Sequence, residues 1–182
     1  MLKVMLTSLA LTALFLYQPN TERLDQLPEE TPGTIEFIGD AGSPNVMTFE
    51  RWGFTRVENA DTPENIQVEA LFDVRTLKCD WKDLQNSLLK KKDYFFARKF
   101  PEASLLINGA TAQEDGSYMT QAELTLKGVT QTVELNFTIS EEKPHTVHAE
   151  GVVQRRLFKF TGDGPNDEVP VVVDAVLTTG VE

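Results

Sequence analysis

Ala122-Glu123-Leu124-Thr125-Leu126-Lys127-Gly128-Val129-Thr130-Gln131-Thr132-Val133-Glu134-Leu135-Asn136-Phe137-Thr138-Ile139 is the stretch that decides the fold. Apolar residues fall at every second position up to Leu126, and again at Val133, Leu135, Phe137 and Ile139. Side chains of a strand point alternately to its two faces, so this period of two marks half-buried strands rather than a helix. Gly128-Val129-Thr130 interrupts the pattern and links the two runs as a hairpin.

The same period extends outward in both directions. Ile35 and Phe37, then Met47 and Phe49, alternate with polar neighbours, and Ile66, Val68, Ala70, Phe72 and Val74 alternate with Gln67, Glu69, Leu71 and Asp73. Val147, Ala149 and Val153 share one phase, and Val171 to Leu177 share another. Glu114-Asp115-Gly116-Ser117 and Glu141-Glu142-Lys143-Pro144 read as further hairpin turns. The pattern predicts eight strands, over 34–39, 46–51, 65–74, 103–112, 117–127, 131–140, 145–155 and 169–179. Antiparallel strands at this spacing build a barrel or a sandwich. One stretch breaks the period. Asp80 to Lys92 places Trp81, Leu84 and Leu88 on one helical face, with Asp80 as the expected cap.

The chain has 182 residues and a formal net charge of -11, with a pI near 4.7. That charge repels phosphate backbones and disfavours nucleic acid as a partner. It equally disfavours broad adsorption to anionic membranes, while leaving room for a local basic patch. The single cysteine, Cys79, excludes an internal disulfide and a Cys-rich zinc site. Residues 1–17, with Lys3 followed by an apolar run, have the outline of a secretory signal. Leu14-Phe15-Leu16-Tyr17 is bulky for a cleavage site, so an uncleaved anchor is the alternative. Residues 18–32 are polar and read as a linker, and 33–182 as the folded domain.

Few residues suggest chemistry. His145 and His148 alternate to opposite faces of a strand, which argues against a shared metal. Gly162 to Glu168 is rich in oxygen ligands but lacks EF-hand spacing, and a plain turn is the simpler reading. No catalytic fingerprint is present. The segment Lys90 to Phe100 interleaves cations with Tyr94, Phe95, Phe96 and Phe100. It reads either as a loop anchored to the core or as a rim where cations meet headgroups and aromatics line an opening. Arg155-Arg156 before Phe158 and Phe160 has the same two readings.

Four segments resemble the YceI-like family, in that family's order. They are Lys92 to Pro101, the hairpin Leu124 to Leu135, Phe72-Asp73-Val74 and Arg156-Leu157-Phe158. Three features depart from it. The opening strand, Gly33-Thr34-Ile35-Glu36-Phe37, lacks a His-Ser pair; Lys127 stands where His is common; and Lys159-Phe160 replaces the usual Gly. The resemblance implies an all-β, eight-stranded antiparallel, lipocalin-like barrel with a short helix between strands 3 and 4. It also implies a periplasmic, non-catalytic carrier or sequestering protein for an isoprenoid, quinone-type or other apolar lipid, with no cofactor and no metal. The residues expected at the lumen or its opening are Phe37, Phe49, Phe72, Tyr94, Phe95, Phe96, Leu105, Leu124, Leu126, Leu135, Phe137, Arg156 and Phe158. Contact with the inner membrane is expected only through an uncleaved N-terminal segment. A homodimer and a filled barrel acting through its surface remain open alternatives.

Overall fold

The computed structural model describes residues 22–39 and 45–179. The expected leader, 1–17, lies outside them. The described residues form a single antiparallel sheet of eleven strands. In chain order these are β1 (Gly33–Phe37), β2 (Met47–Phe49), β3 (Trp52–Glu58), β4 (Gln67–Asp73), β5 (Leu77–Cys79) and β6 (Glu102–Asn108). Then come β7 (Thr111–Ala112), β8 (Tyr118–Leu126), β9 (Val129–Ile139), β10 (Thr146–Gln154) and β11 (Glu168–Val176). The helix α1 (Lys82–Lys90) lies between β5 and β6.

Eleven strands reduce to eight runs, because three runs are broken. β2 and β3 are one run bent at Glu50-Arg51, and β4 and β5 are one run bent at a 3₁₀ turn, Val74–Thr76. Met47 faces Cys79 and Trp52 faces Phe72, so the two bent runs pair along their whole length as one kinked hairpin. The third broken run is β6 with β7, interrupted at Gly109-Ala110. The sheet order is β3-β4-β6-β8-β9-β10-β11-β1-β2-β5. Its two ends are therefore the two halves of that hairpin, and the sheet curls back onto itself. A bridge between Phe54 and Thr179 adds a contact at the seam. This is an all-β barrel, as the resemblance implied, with the helix between the third and fourth runs where the break in period placed it.

Four local expectations change. The second run continues to Glu58 rather than stopping at 51, through a bulge between Phe54 and Arg56 that shifts the alternation. The hairpin turn is Lys127-Gly128, with φ of 51° and 69°, and not 128–130. Positive φ at both central positions matches the twist of the flanking strands, and glycine adopts it without strain. The helix begins at Lys82 with Trp81 as its cap residue, so Asp80 does not cap it. Residues 22–27 are also not a free linker. A 3₁₀ turn, Glu22–Gln26, packs Leu24 and Leu27 against Leu71 on the outer face of β4. Arg23 binds Glu69 and Glu102 from the same side.

The barrel has two unlike ends. Away from α1, the interior is filled by Tyr118 stacked on Phe137 at 5.5 Å and by Trp52 against Phe54 at 5.5 Å. The end under α1 is hollow.

Candidate binding cavity

A cavity of about 460 Å³ occupies the α1 end of the barrel. Five phenylalanines stand along one side of it. Phe72 lies 6.0 Å from Phe49; Phe49 lies 5.4 Å from Phe37; and Phe95 meets Phe49 at 6.0 Å and Phe160 edge-on at 4.9 Å. The opposite arc is aliphatic, with Val169, Val171 and Val173 from β11, Val153 from β10, Leu135 from β9, Leu124 and Leu126 from β8, and Leu105 from β6. The helix closes the end with Trp81, Leu84 and Leu88, the face expected from their spacing.

Among the described residues, few polar groups line the cavity. Asn45, Tyr94, Arg155 and Asp163 line it with Gly164 and Pro165. Arg155 is buried, and its guanidinium donates to four backbone carbonyls. Nε reaches Asn166 at 2.8 Å, Nη1 reaches Phe160 at 3.2 Å and Gly162 at 2.8 Å, and Nη2 reaches Pro165 at 2.8 Å. Nη2 also stands 3.2 Å from Asp167 Oδ1. The charge is thus consumed by the loop 160–167 and not offered to the cavity.

That loop is tied to the segment 91–100. The Tyr94 hydroxyl donates to the Asp163 carbonyl at 2.8 Å. The Thr161 and Gly162 amides both donate to the Asp93 carbonyl, and the Thr161 hydroxyl donates to the Asp93 carboxylate at 2.9 Å. Lys127 locks the corner. Its ammonium donates to the carbonyls of Lys92 at 2.8 Å and Lys159 at 2.7 Å, and lies 4.8 Å from the Phe160 ring centre. Burial pushes its pKa down, partly opposed by Asp93.

Nine of the expected residues line this space: Phe37, Phe49, Phe72, Tyr94, Phe95, Leu105, Leu124, Leu126 and Leu135. Four do not. Phe96 has φ of 52° and turns away from Phe95 to meet Phe100 at 6.5 Å. Phe137 faces inward but belongs to the filled end, against Tyr118. Phe158 is fully buried without lining the cavity. Arg156 is exposed and bonds Asp167 at 2.7 Å, while its neighbour Arg155 takes the inner position. A signal for Arg155 existed, since the inward phase Val147-Ala149-Gly151-Val153 continues onto it. Phe160, Met47 and the Val169–Val173 series also line the space, beyond the residues expected there.

The histidines separate as alternation required. His145 contacts the Ser140 carbonyl and Asp61, and His148 contacts Asp174 and Glu150. Among the described residues no group of three His, Cys, Asp or Glu side chains is placed to hold a metal.

The model of the YceI-like domain matches residues 33–177, which is most of the chain. The chain belongs to the YceI-like family. BcnA of Burkholderia cenocepacia has a similar fold, with a TM-score of 0.71 at 19% identity, covering 80% of this chain and 96% of that one. A Campylobacter jejuni YCEI protein gives 0.62 at 15% identity, covering 71% and 81%. A polyisoprenoid binding domain from Saccharophagus degradans, implicated in plant cell wall breakdown, gives 0.59 at 10% identity, covering 81% and 94%. No relative is found among curated proteins. At these identities the structural likenesses establish the YceI-like fold.

Proposed function

We propose that this YceI-like chain is an exported, periplasmic carrier that sequesters an apolar lipid of isoprenoid type without transforming it. The observation that carries this reading is the hollow end of the barrel, about 460 Å³ lined by phenylalanine, leucine and valine, with the guanidinium of Arg155 already satisfied by backbone carbonyls. An apolar space lined by few polar groups suits a hydrocarbon chain whose polar end stays outside. The structural likeness to a polyisoprenoid binding domain supports the choice of chain. A barrel filled throughout by its own side chains would have no such space, and this disfavours a purely surface-acting module.

Size narrows the ligand. At about 30 Å³ for a group of water size, 460 Å³ takes roughly 15 heavy atoms, or about three isoprene units. A longer chain extends beyond the opening. Burying that many carbons contributes roughly 12 kcal/mol at about 0.8 kcal/mol each, before ordering costs.

The experiment is extraction of the protein, purified from its native host, with organic solvent and mass spectrometry of the extract. One apolar lipid per barrel is expected, recovered unchanged. Leu105→Trp, which places an indole in the cavity, lowers the recovered lipid. Glu123→Gln on the outer face does not. A protein that carries no lipid from its host, and takes up no farnesyl-length probe, refutes the reading.

A further inference from the structure

The two ends of the barrel differ in charge as well as in filling. Strand pairing places the segments 38–39, 45–46, 74–101, 127–128 and 155–167 at the cavity end. Together these described residues hold twelve Lys and Arg against five Asp and Glu. The connections at the far end, 59–66, 109–117 and 140–145, hold one lysine against six acidic residues. An acidic chain therefore presents one basic end, and it is the end that holds the cavity.

Exposed apolar side chains gather at the same end. Among the described residues the exposed large hydrophobics are Val46, Trp81, Val152 and Leu157. Trp81, 56% exposed, lines the cavity opening. Val46 is next to it, because Met47 pairs with Cys79 and the register continued by one residue brings Val46 opposite Asp80. Leu157, on the turn Arg155–Phe158, lies at the same end of the barrel. Lys82, Lys90, Lys91 and Lys92 are exposed along and just beyond the helix that closes this end. An indole beside lysines is the combination that settles at a membrane–water interface, and anionic headgroups supply the matching charge.

We propose that the cavity end docks on an anionic phospholipid bilayer, with Trp81, Val46 and Leu157 entering the interface and the helix lysines meeting the headgroups. The charge asymmetry turns the opening toward the lipid, and the far end is repelled. This revises the expectation that only the N-terminal segment meets a membrane. It goes beyond the carrier reading and does not depend on what fills the cavity.

The test uses the protein as purified from its native host and vesicles free of isoprenoids. Phosphatidylcholine vesicles with and without phosphatidylglycerol carry brominated acyl chains, which quench tryptophan at the interface. Trp52 is fully buried and serves as the unquenched reference. Quenching is expected with anionic vesicles only, and Trp81→Phe abolishes it. Each lysine near the surface contributes roughly fivefold, so the triple variant Lys82→Gln/Lys90→Gln/Lys91→Gln raises the lipid needed for half-quenching roughly 100-fold. Lys143→Gln, at the far end, leaves it unchanged. Absence of Trp81 quenching, equal quenching by neutral vesicles, or quenching indifferent to the three lysines overturns the proposal. So does a dimer in lipid-free sedimentation that Trp81→Ala dissociates. Extraction of cargo is read separately, so a protein that docks but carries nothing sinks the carrier reading alone.

Discussion

Arg155 and Arg156 are consecutive, equally charged and oppositely placed, and replacing each by alanine separates the contributions of burial and charge. Arg155→Ala removes four hydrogen bonds to the loop 160–167. The two made by Nη1, to Phe160 and Gly162, are buried, and water does not replace them freely. Each orphaned carbonyl costs about 1–3 kcal/mol. The carbonyls of Pro165 and Asn166 are only partly covered and recover water, so they add less. A loss of about 3–5 kcal/mol follows. Arg156→Ala removes an ion pair to Asp167 at 2.7 Å and a bond to the Thr161 carbonyl at 3.0 Å, both at an exposed side chain. Its cost is below about 1 kcal/mol. Arg155→Lys keeps the charge but not the planar fork, and restores only part of the loss. Urea unfolding measures all three through the midpoint at unchanged slope. If Arg155→Ala lies within about 1 kcal/mol of the parent, or if Arg156→Ala costs as much, the guanidinium does not hold this loop and the reasoning fails.

Other consequences are open to equally direct measurement. Gly162→Ala places a Cβ 2.3 Å from Tyr94 Cζ, so the ring must move and release the Asp163 carbonyl; roughly 1–3 kcal/mol of stability is lost and bound probe escapes faster. Leu24→Ala lowers stability by about 2–3 kcal/mol in the same unfolding assay, since Leu24 is fully buried against Leu27 and Leu71; a free linker would show no change. His148 titrates above its ordinary 6.5, because Asp174 first and Glu150 second hydrogen-bond its ring. A raised folded pKa means that folding takes up a proton, so this contribution is full below 6.5 and fades as pH rises through the folded midpoint. Proton NMR of the imidazole reads the midpoint, and Asp174→Asn brings it down.

Alternation made most of the barrel legible, and it failed where the backbone departs from a regular pleat. Trp52 and Phe54 keep the inward phase, but the bulge before Arg56 breaks it, and the strand was expected to end at 51. Leu77–Cys79 is too short to display a period. Within strands, phase reports which face a side chain occupies but not its depth. Leu135 and Phe137 share a face of β9, yet one lines the cavity and the other fills the far end. Outside strands there is no phase to follow. Phe95 and Phe96 look alike in sequence, and a left-handed backbone at Phe96 sends them apart. Arg155 was recoverable from the period of β10, whereas its four carbonyl partners come from a loop whose path the sequence does not display.

The hollow end is itself informative about what the fold is for. Apolar walls that face no packed neighbour forgo the dispersion contacts a filled interior makes. The same strands fill their other end with Tyr118, Phe137, Trp52 and Phe54, so the barrel does not require a void. The void follows from side-chain size, with Val169, Val171, Val173 and Ala103 facing inward where larger residues would close it. A chain able to pack one end and leaving the other open is under-filled at the place where an apolar occupant restores the missing contacts. Occupancy and stability are thereby coupled, since any molecule that binds the folded barrel and not the unfolded chain raises its stability.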